Sequence, residues 1–148
     1  MYQINLKSLI NVPPVRLLRI WQKPDLLLSK APNLKSLKVI TKEANTMVTA
    51  WEVEIAKIRI KWQQRDILDT DKANISFKLE RGDFNRYEGC WQITPTKKGK
   101  SILSVSAVID WGIPAFEEAL SPVLERKSRL MFRSFMQSIR KAAVKNAK

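Results

Sequence analysis

From Leu37 to Ile109 the apolar side chains fall on alternate residues, stretch after stretch, and a chain patterned this way is committed to β-sheet. Leu37, Val39 and Thr41 alternate with Lys38 and Lys42. Met47, Thr49, Trp51, Val53 and Ile55 alternate with small or acidic neighbours. Ile58, Ile60 and Trp62 alternate with Lys57, Arg59, Lys61 and Gln63, the pattern of a strand with one wet face. Three more stretches come after these: Ile75–Phe77–Leu79, Tyr87–Gly89–Trp91–Ile93 and Leu103–Val105–Ala107–Ile109. Asp69-Thr70-Asp71-Lys72, Arg81-Gly82-Asp83 and the segment from Thr94 to Gly99 carry turn chemistry between them. Connections this short join antiparallel neighbours, because a parallel crossover needs a dozen or more residues. With a first strand over Tyr2 to Val12, the sheet has about six or seven strands. Gly82 and Gly89 are the positions where a bulge would reverse the facing of every later residue on the strand.

Helical spacing brackets the sheet. Pro13-Pro14 ends the first strand and opens a short helix whose Val15, Leu18 and Trp21 share a face as far as Gln22. Lys23-Pro24-Asp25 breaks it, and a second short helix is expected over Leu26 to Lys30, ended by Ala31-Pro32-Asn33. Near the other end, Phe116, Ala119 and Leu120 suggest a short helical segment. Ser121-Pro122 then reads as an N-cap with proline at the first helical position. A helix from Pro122 to about Val144 would be roughly 35 Å long. Its apolar face is traced by Val123, Leu124, Lys127, Leu130, Met131, Ser134, Phe135, Ser138, Ile139 and Ala142, with Arg126, Arg129, Arg133 and Arg140 largely off it. The expected architecture is one α+β domain over residues 1–148, a curved antiparallel sheet around a long C-terminal helix, with two short helices after the first strand and the last few residues frayed.

Charge and reactive groups narrow the function. Lys and Arg number 27 against 14 Asp and Glu, a formal net charge of +13. Such a balance favours nucleic acid, an anionic membrane or an acidic partner, although many small proteins are simply basic. No acid follows Arg126, and part of that bias needs no partner, since cations near a helix C-terminus oppose its dipole. There is no histidine, which removes Ser-His and Cys-His nucleophiles and His-ligated metals. Cys90 is the single cysteine; it has no metal-binding companion and cannot form an internal disulfide, as suits a reducing compartment. No apolar run approaches the ~20 residues that span a bilayer, and the opening residues lack a signal-peptide pattern. A cytoplasmic protein, peripheral to a membrane at most, is expected. Glu52 and Glu54 fall on the outward side of their strand, and Asp66, Asp69 and Asp71 read as turn and surface groups.

The order of elements and several strings resemble the START/Bet v1 (SRPBCC) superfamily, the helix-grip fold. Within it the chain is similar to the polyketide cyclase/dehydratase and coenzyme Q-binding group. The strings are Trp51-Glu52-Val53-Glu54-Ile55, Ile60-Lys61-Trp62, Gly82-Asp83-Phe84, Glu88-Gly89-Cys90-Trp91, Asp110-Trp111-Gly112-Ile113-Pro114 and Leu120-Ser121-Pro122, spread over nearly the whole chain. The resemblance implies a cavity between the sheet and the last helix for a lipid, quinone or polyketide-like molecule. Trp51, Val53, Ile60, Trp62, Phe77, Leu79, Trp91, Ile93, Leu103 and Val105 would line its concave wall, facing Leu130, Met131 and Phe135 of the helix. Gln64, Arg81 and Tyr87 share the inward parity and are candidates for its few polar anchors. The same aromatics would also serve as ordinary core.

Three functions are consistent with this reading. The first is a noncatalytic carrier of a hydrophobic ligand, without cofactor or metal, which could dock its basic helix on an anionic membrane through Arg126, Arg129, Arg133 and Arg140. The second is a cyclase or dehydratase in which Arg81, Tyr87, Ser104 or Ser106 assists a reactive chain. The third, ranked last because no basic-aromatic interleave of an RNA-binding type occurs, is a nucleic-acid binder. The thin supply of reactive groups leans against catalysis.

Overall fold

The computed structural model describes residues 2–23, 34–55, 57–111 and 114–145. Seven strands run in chain order as β1 (Tyr2–Ile10), β2 (Leu34–Glu43), β3 (Thr46–Ile55), β4 (Ile58–Asp69), β5 (Asn74–Gly82), β6 (Arg86–Pro95) and β7 (Ser101–Asp110). Helix α1 (Pro14–Gln22) follows β1, and helix α2 (Pro114–Lys145) follows β7. All neighbours are antiparallel, in the spatial order β1-β7-β6-β5-β4-β3-β2. Strands β2 to β7 form a meander, and β1 joins its far edge against β7, with Tyr2 opposite Ile109 and Ile10 opposite Ser101. The expected second short helix at Leu26–Lys30 lies outside the described residues.

One face of the curved sheet is apolar and is covered by α2, with α1 closing one side. From the helix, Phe132, Phe135, Met136 and Ile139 are buried against Ile4, Phe77, Tyr87 and Leu103 of the sheet, and Leu17 and Ile20 enter from α1. The α1 start follows from its prolines: Pro13 stays extended at φ −69° and ψ 156°, and its carbonyl accepts the Arg16 N–H at 3.0 Å. Gly89 is required by a close approach, since a Cβ there would stand 2.3 Å from the Ser106 carbonyl oxygen and 2.7 Å from the Phe77 ring. Across Gly89 the facing of β6 holds, with Tyr87, Trp91 and Ile93 all buried. At the end of β5, Asp83 bonds the β4 backbone twice, accepting the Lys61 N–H on its carboxylate at 2.8 Å and donating its own N–H to the Lys61 carbonyl at 2.9 Å.

Two sequence expectations change. There is no new helix at Ser121: α2 runs unbroken from Pro114, with Pro122 inside it. Proline has no N–H to give the carbonyl of residue 118, so one helical bond is missing there while the helix continues. The phase of the helix also differs. Leu130 is 46% exposed, whereas Phe132 is 1% exposed and central to the core. Residues 128, 132, 135 and 139 fall on one side at 100° per residue, and residue 130 falls opposite them.

Candidate functional site

Strand β4 carries Trp62, Gln64 and Asp66 on its inward face, and β3 carries Thr49 and Trp51 beside them, with Trp51 opposite Trp62 and Thr49 opposite Gln64. The alternation that buries Trp62 necessarily buries the next two inward residues, although both are polar. They are satisfied by one another. The Trp62 indole donates to Gln64 Oε1 at 2.7 Å, and Gln64 Nε2 donates to Asp66 Oδ1 at 2.6 Å. From the other side, the Trp51 indole donates to Thr49 Oγ1 at 2.8 Å, and that hydroxyl donates to Asp66 Oδ2 at 2.7 Å. Two donor chains therefore converge on one carboxyl group.

Asp66 is 7% exposed. Burial removes the water that favours its charged form and pushes its pKa from 3.8 to about 6, against the opposing pull of the Thr49 and Gln64 hydrogen bonds. Tyr87 lines the same cavity. Its phenol is pushed well above its ordinary value by burial, with the Asp66 charge adding to the effect. At neutral pH the site holds a mostly ionised carboxylate and a neutral phenol, the combination of proton acceptor and hydrogen-bond donor that acid-base chemistry uses.

The cavity itself is about 40 Å³ and is bounded by Trp21, Trp51, Phe77, Tyr87, Trp91, Phe132 and Phe135, with Ile20, Leu37, Met47 and Ile139 between the rings. The rings brace one another. Trp51 stacks on Trp62 at 5.7 Å, Trp51 tilts on Phe135 at 5.4 Å, and Trp21 tilts on Trp91 at 5.7 Å. A groove of about 360 Å³ adjoins the cavity and shares Trp21, Met47 and Asp66 with it, together with Lys23, Lys42 and Asn45 at its rim. Asp66 is thus reached from both sides.

Of the residues expected to line a pocket, Trp51, Phe77, Trp91, Phe135, Gln64 and Tyr87 stand around the cavity. Val53, Ile60, Trp62, Ile93, Leu103, Val105 and Met131 are buried in the surrounding core, and Leu79 packs against it partly buried. Leu130 points away, because the helix turns its Phe132 side to the sheet. Arg81 is exposed. A β-bulge between β4 and β5 pairs Gln64 with Leu79 but Gln63 with Arg81, so Arg81 follows the outward parity of Gln63. Asp66 is the main correction, being neither turn nor surface; its inward place was implied by the period of two running through Trp62 and Gln64. Phe132, Trp21 and Met47 were also missed as cavity walls. Cys90 is partly buried, with its thiol 3.5 Å from the Trp91 carbonyl, and burial raises its pKa, so it is a poor nucleophile.

Residues 10–136 match the family described as polyketide cyclase / dehydrase and lipid transport. The crystal structure of TTHA0849 from Thermus thermophilus superposes with a TM-score of 0.94 at 19% identity, covering 99% of this chain and 100% of that one. An aromatase/cyclase, ZhuI from Streptomyces sp. R1128, gives 0.85 at 11% identity over 99% and 96% of the two chains. Norcoclaurine synthase from Thalictrum flavum gives 0.74 at 13% identity over 99% and 96%. Likeness at these identities establishes the fold. No curated protein matches the sequence. The family match spans most of the chain, and the seven-stranded sheet gripping α2 agrees with it as a helix-grip fold: the chain belongs to the polyketide cyclase / dehydrase and lipid transport family.

Proposed function

We propose that the chain binds a hydrophobic small molecule, a lipid, quinone or polyketide-like compound, with its polar end set against Asp66, Gln64 and Tyr87. The observation that carries this reading is the asymmetry of the cavity. Aromatic and aliphatic side chains make up most of its wall, while the hydrogen-bonded Thr49, Gln64 and Asp66 gather on one part of it, with Tyr87 near enough to feel the Asp66 charge. Pockets that orient apolar ligands have this composition. The enclosed space holds little more than water as it stands, since a water needs about 10–15 Å³ and drug-sized ligands several hundred. The ligand therefore enters by way of the adjoining groove, displacing the half-buried Trp21 ring from between the two spaces. Native mass spectrometry of the purified protein, with organic extraction of what it carries, tests this. A stoichiometric apolar ligand, absent from Met47→Trp protein in which an indole fills the junction, is the expected result. A bare mass that stays bare after challenge with lipids, quinones and aromatic polyketides would overturn it.

The Asp66–Tyr87 pair favours a second reading, a cyclase or dehydratase. The Asp66 carboxylate would take a proton from the carbon next to a ligand carbonyl, and the Tyr87 hydroxyl would donate a hydrogen bond to the enolate oxygen. Returning that proton to a different atom completes an isomerisation; passing it from Asp66 to a β-hydroxyl, whose C–O bond breaks as water leaves and the enolate becomes an enone, completes a dehydration. Deuterium exchange into a bound ketone that is lost in both Asp66→Asn and Tyr87→Phe would support this. Exchange unchanged in either would leave a carrier.

A further inference from the structure

The positive charge is unevenly distributed over the surface. Among the described residues the ion pairs lie on the sheet side, linking Lys35 with Glu54, Arg59 and Lys61 with Glu52, Arg65 with Glu80, and Arg86 with Glu88. None of these reaches β1 or α2. On the solvent side of α2, residues 123, 126, 130, 133, 137, 140 and 144 form one stripe at helical spacing, and every one of them is exposed. Arg126, Arg133 and Arg140 recur on it at intervals of seven, and no acid follows Arg126 in the sequence.

Beside this stripe, between β1 and α2, lies a groove of about 240 Å³ that brings together Lys7, Arg133 and Arg140 with Ser8 and Gln137, and has Leu6 and Met136 as its apolar side. No carboxylate lines it. The Arg140 guanidinium is held in place, donating to the Ser8 hydroxyl and, at 3.0 Å, to the Leu9 carbonyl. Three cations and two neutral polar groups around a recess suit a phosphate oxyanion. The surroundings then decide which kind of phosphate. Leu9, on the side of β1 that carries Lys7, is 53% exposed, and Leu130 and Val144, on the α2 stripe of Arg133 and Arg140, are each 46% exposed, so apolar side chains accompany the basic ones on both elements. An acyl-chain boundary receives such groups, whereas the charged backbone of a duplex offers them no apolar partner; a single strand would call for exposed rings to stack on its bases, and from Tyr2 to Trp111 and at Phe132 and Phe135 no aromatic side chain is fully exposed.

We propose that the β1–α2 face docks on a membrane containing anionic phospholipid, one headgroup phosphate occupying the groove lined by Lys7, Arg133 and Arg140. The apolar residues Leu9, Leu130 and Val144 sit in the interface beside it. The site is separate from the aromatic cavity, and its test does not depend on any ligand there. The whole chain is sedimented with vesicles of phosphatidylcholine, with or without phosphatidylglycerol. Binding is expected only with the anionic lipid and is expected to weaken as salt rises. Removing two cations in Lys7→Gln/Arg133→Gln should weaken it about 30-fold, at about fivefold per cation. Lys97→Gln/Lys98→Gln, with the same charge change on the β6–β7 turn, should bind almost as the parent does. Leu9→Asn should weaken binding without altering charge. Circular dichroism of each variant checks that the fold is kept. Equal losses in the two lysine-bearing doubles would overturn the proposal in favour of diffuse charge. So would inorganic phosphate titrating the groove resonances in a protein that ignores vesicles, or duplex DNA binding more tightly than vesicles with the same dependence on Lys7 and Arg133.

Discussion

Replacing Asp66 with asparagine should stabilise the protein at alkaline pH and destabilise it at acid pH. Burial moves the carboxyl pKa from 3.8 to about 6, so the folded chain holds this proton more tightly than the unfolded chain does. For this group, stability is therefore greatest below pH 3.8, declines as pH rises to about 6, and remains lowered above that. The full cost of the ionised form, at about 1.4 kcal/mol per tenfold change in proton affinity, is about 3 kcal/mol. Asparagine removes it. Asparagine also offers one acceptor where the carboxylate offers two, so either Thr49 or Gln64 loses its partner, at a cost of about 1 kcal/mol. The net expectation at pH 8 is a gain of about 2 kcal/mol, or about 4–8 °C in Tm for a chain of this size. At pH 4 only the lost hydrogen bond remains, and the variant should be the less stable by about 1 kcal/mol. Urea denaturation of both proteins across this pH range gives the difference directly. A difference that stays constant from pH 4 to pH 8 would refute the reasoning, because it would mean that Asp66 titrates as it does in the unfolded chain.

Other perturbations read the same structure. Thr49→Val removes a hydrogen bond that lowers the Asp66 pKa and should raise that pKa above about 6; the carboxyl carbon shift in NMR tracks it, and a fall would contradict the geometry. Phe132→Ala opens a hole where the helix meets the sheet and should cost about 3–5 kcal/mol in chemical denaturation, with a loss near zero placing the ring elsewhere. Gly89→Ala forces a Cβ to within 2.3 Å of the Ser106 carbonyl oxygen, so the β6–β7 pair must part. The denaturation midpoint should fall by an amount corresponding to about 1–3 kcal/mol, and an unchanged midpoint would mean that these strands lie farther apart.

The sheet was legible because period two and turn residues agree from Leu34 to Asp110, and the six strands in that range follow the pattern closely. The features that were not legible depended on partners far away in the chain. Proline at position 122 looks the same at the first turn of a helix as inside one. The residues that trace the apolar face in the sequence include Leu130 and omit Phe132, whereas the packed face is turned toward Phe132, since leucine can tolerate water where a larger ring gains more from burial. Arg81 follows strict alternation until a bulge at Glu80 displaces it, two residues before Gly82, where glycine had marked the parity as open to reversal. Asp66 is the most instructive case. Its parity was plain, but the general rarity of buried carboxylates outweighed the local pattern. A carboxylate kept inside against that tendency is a reason to suspect chemistry.

The pairing of β1 with β7 has a consequence for how the chain assembles. Tyr2 finds its partner in Ile109, whereas each strand from β2 to β6 pairs with the one that follows it within a few residues. During synthesis at about 5–20 residues per second, β1 waits on the order of 5–20 s before β7 leaves the ribosome. Its apolar side chains Ile4 and Ile10 have no lasting shelter during that interval. Closure of the sheet across its longest sequence separation is then the slowest step in folding, and a chaperone that holds the first dozen residues would raise the yield more than one acting on the meander.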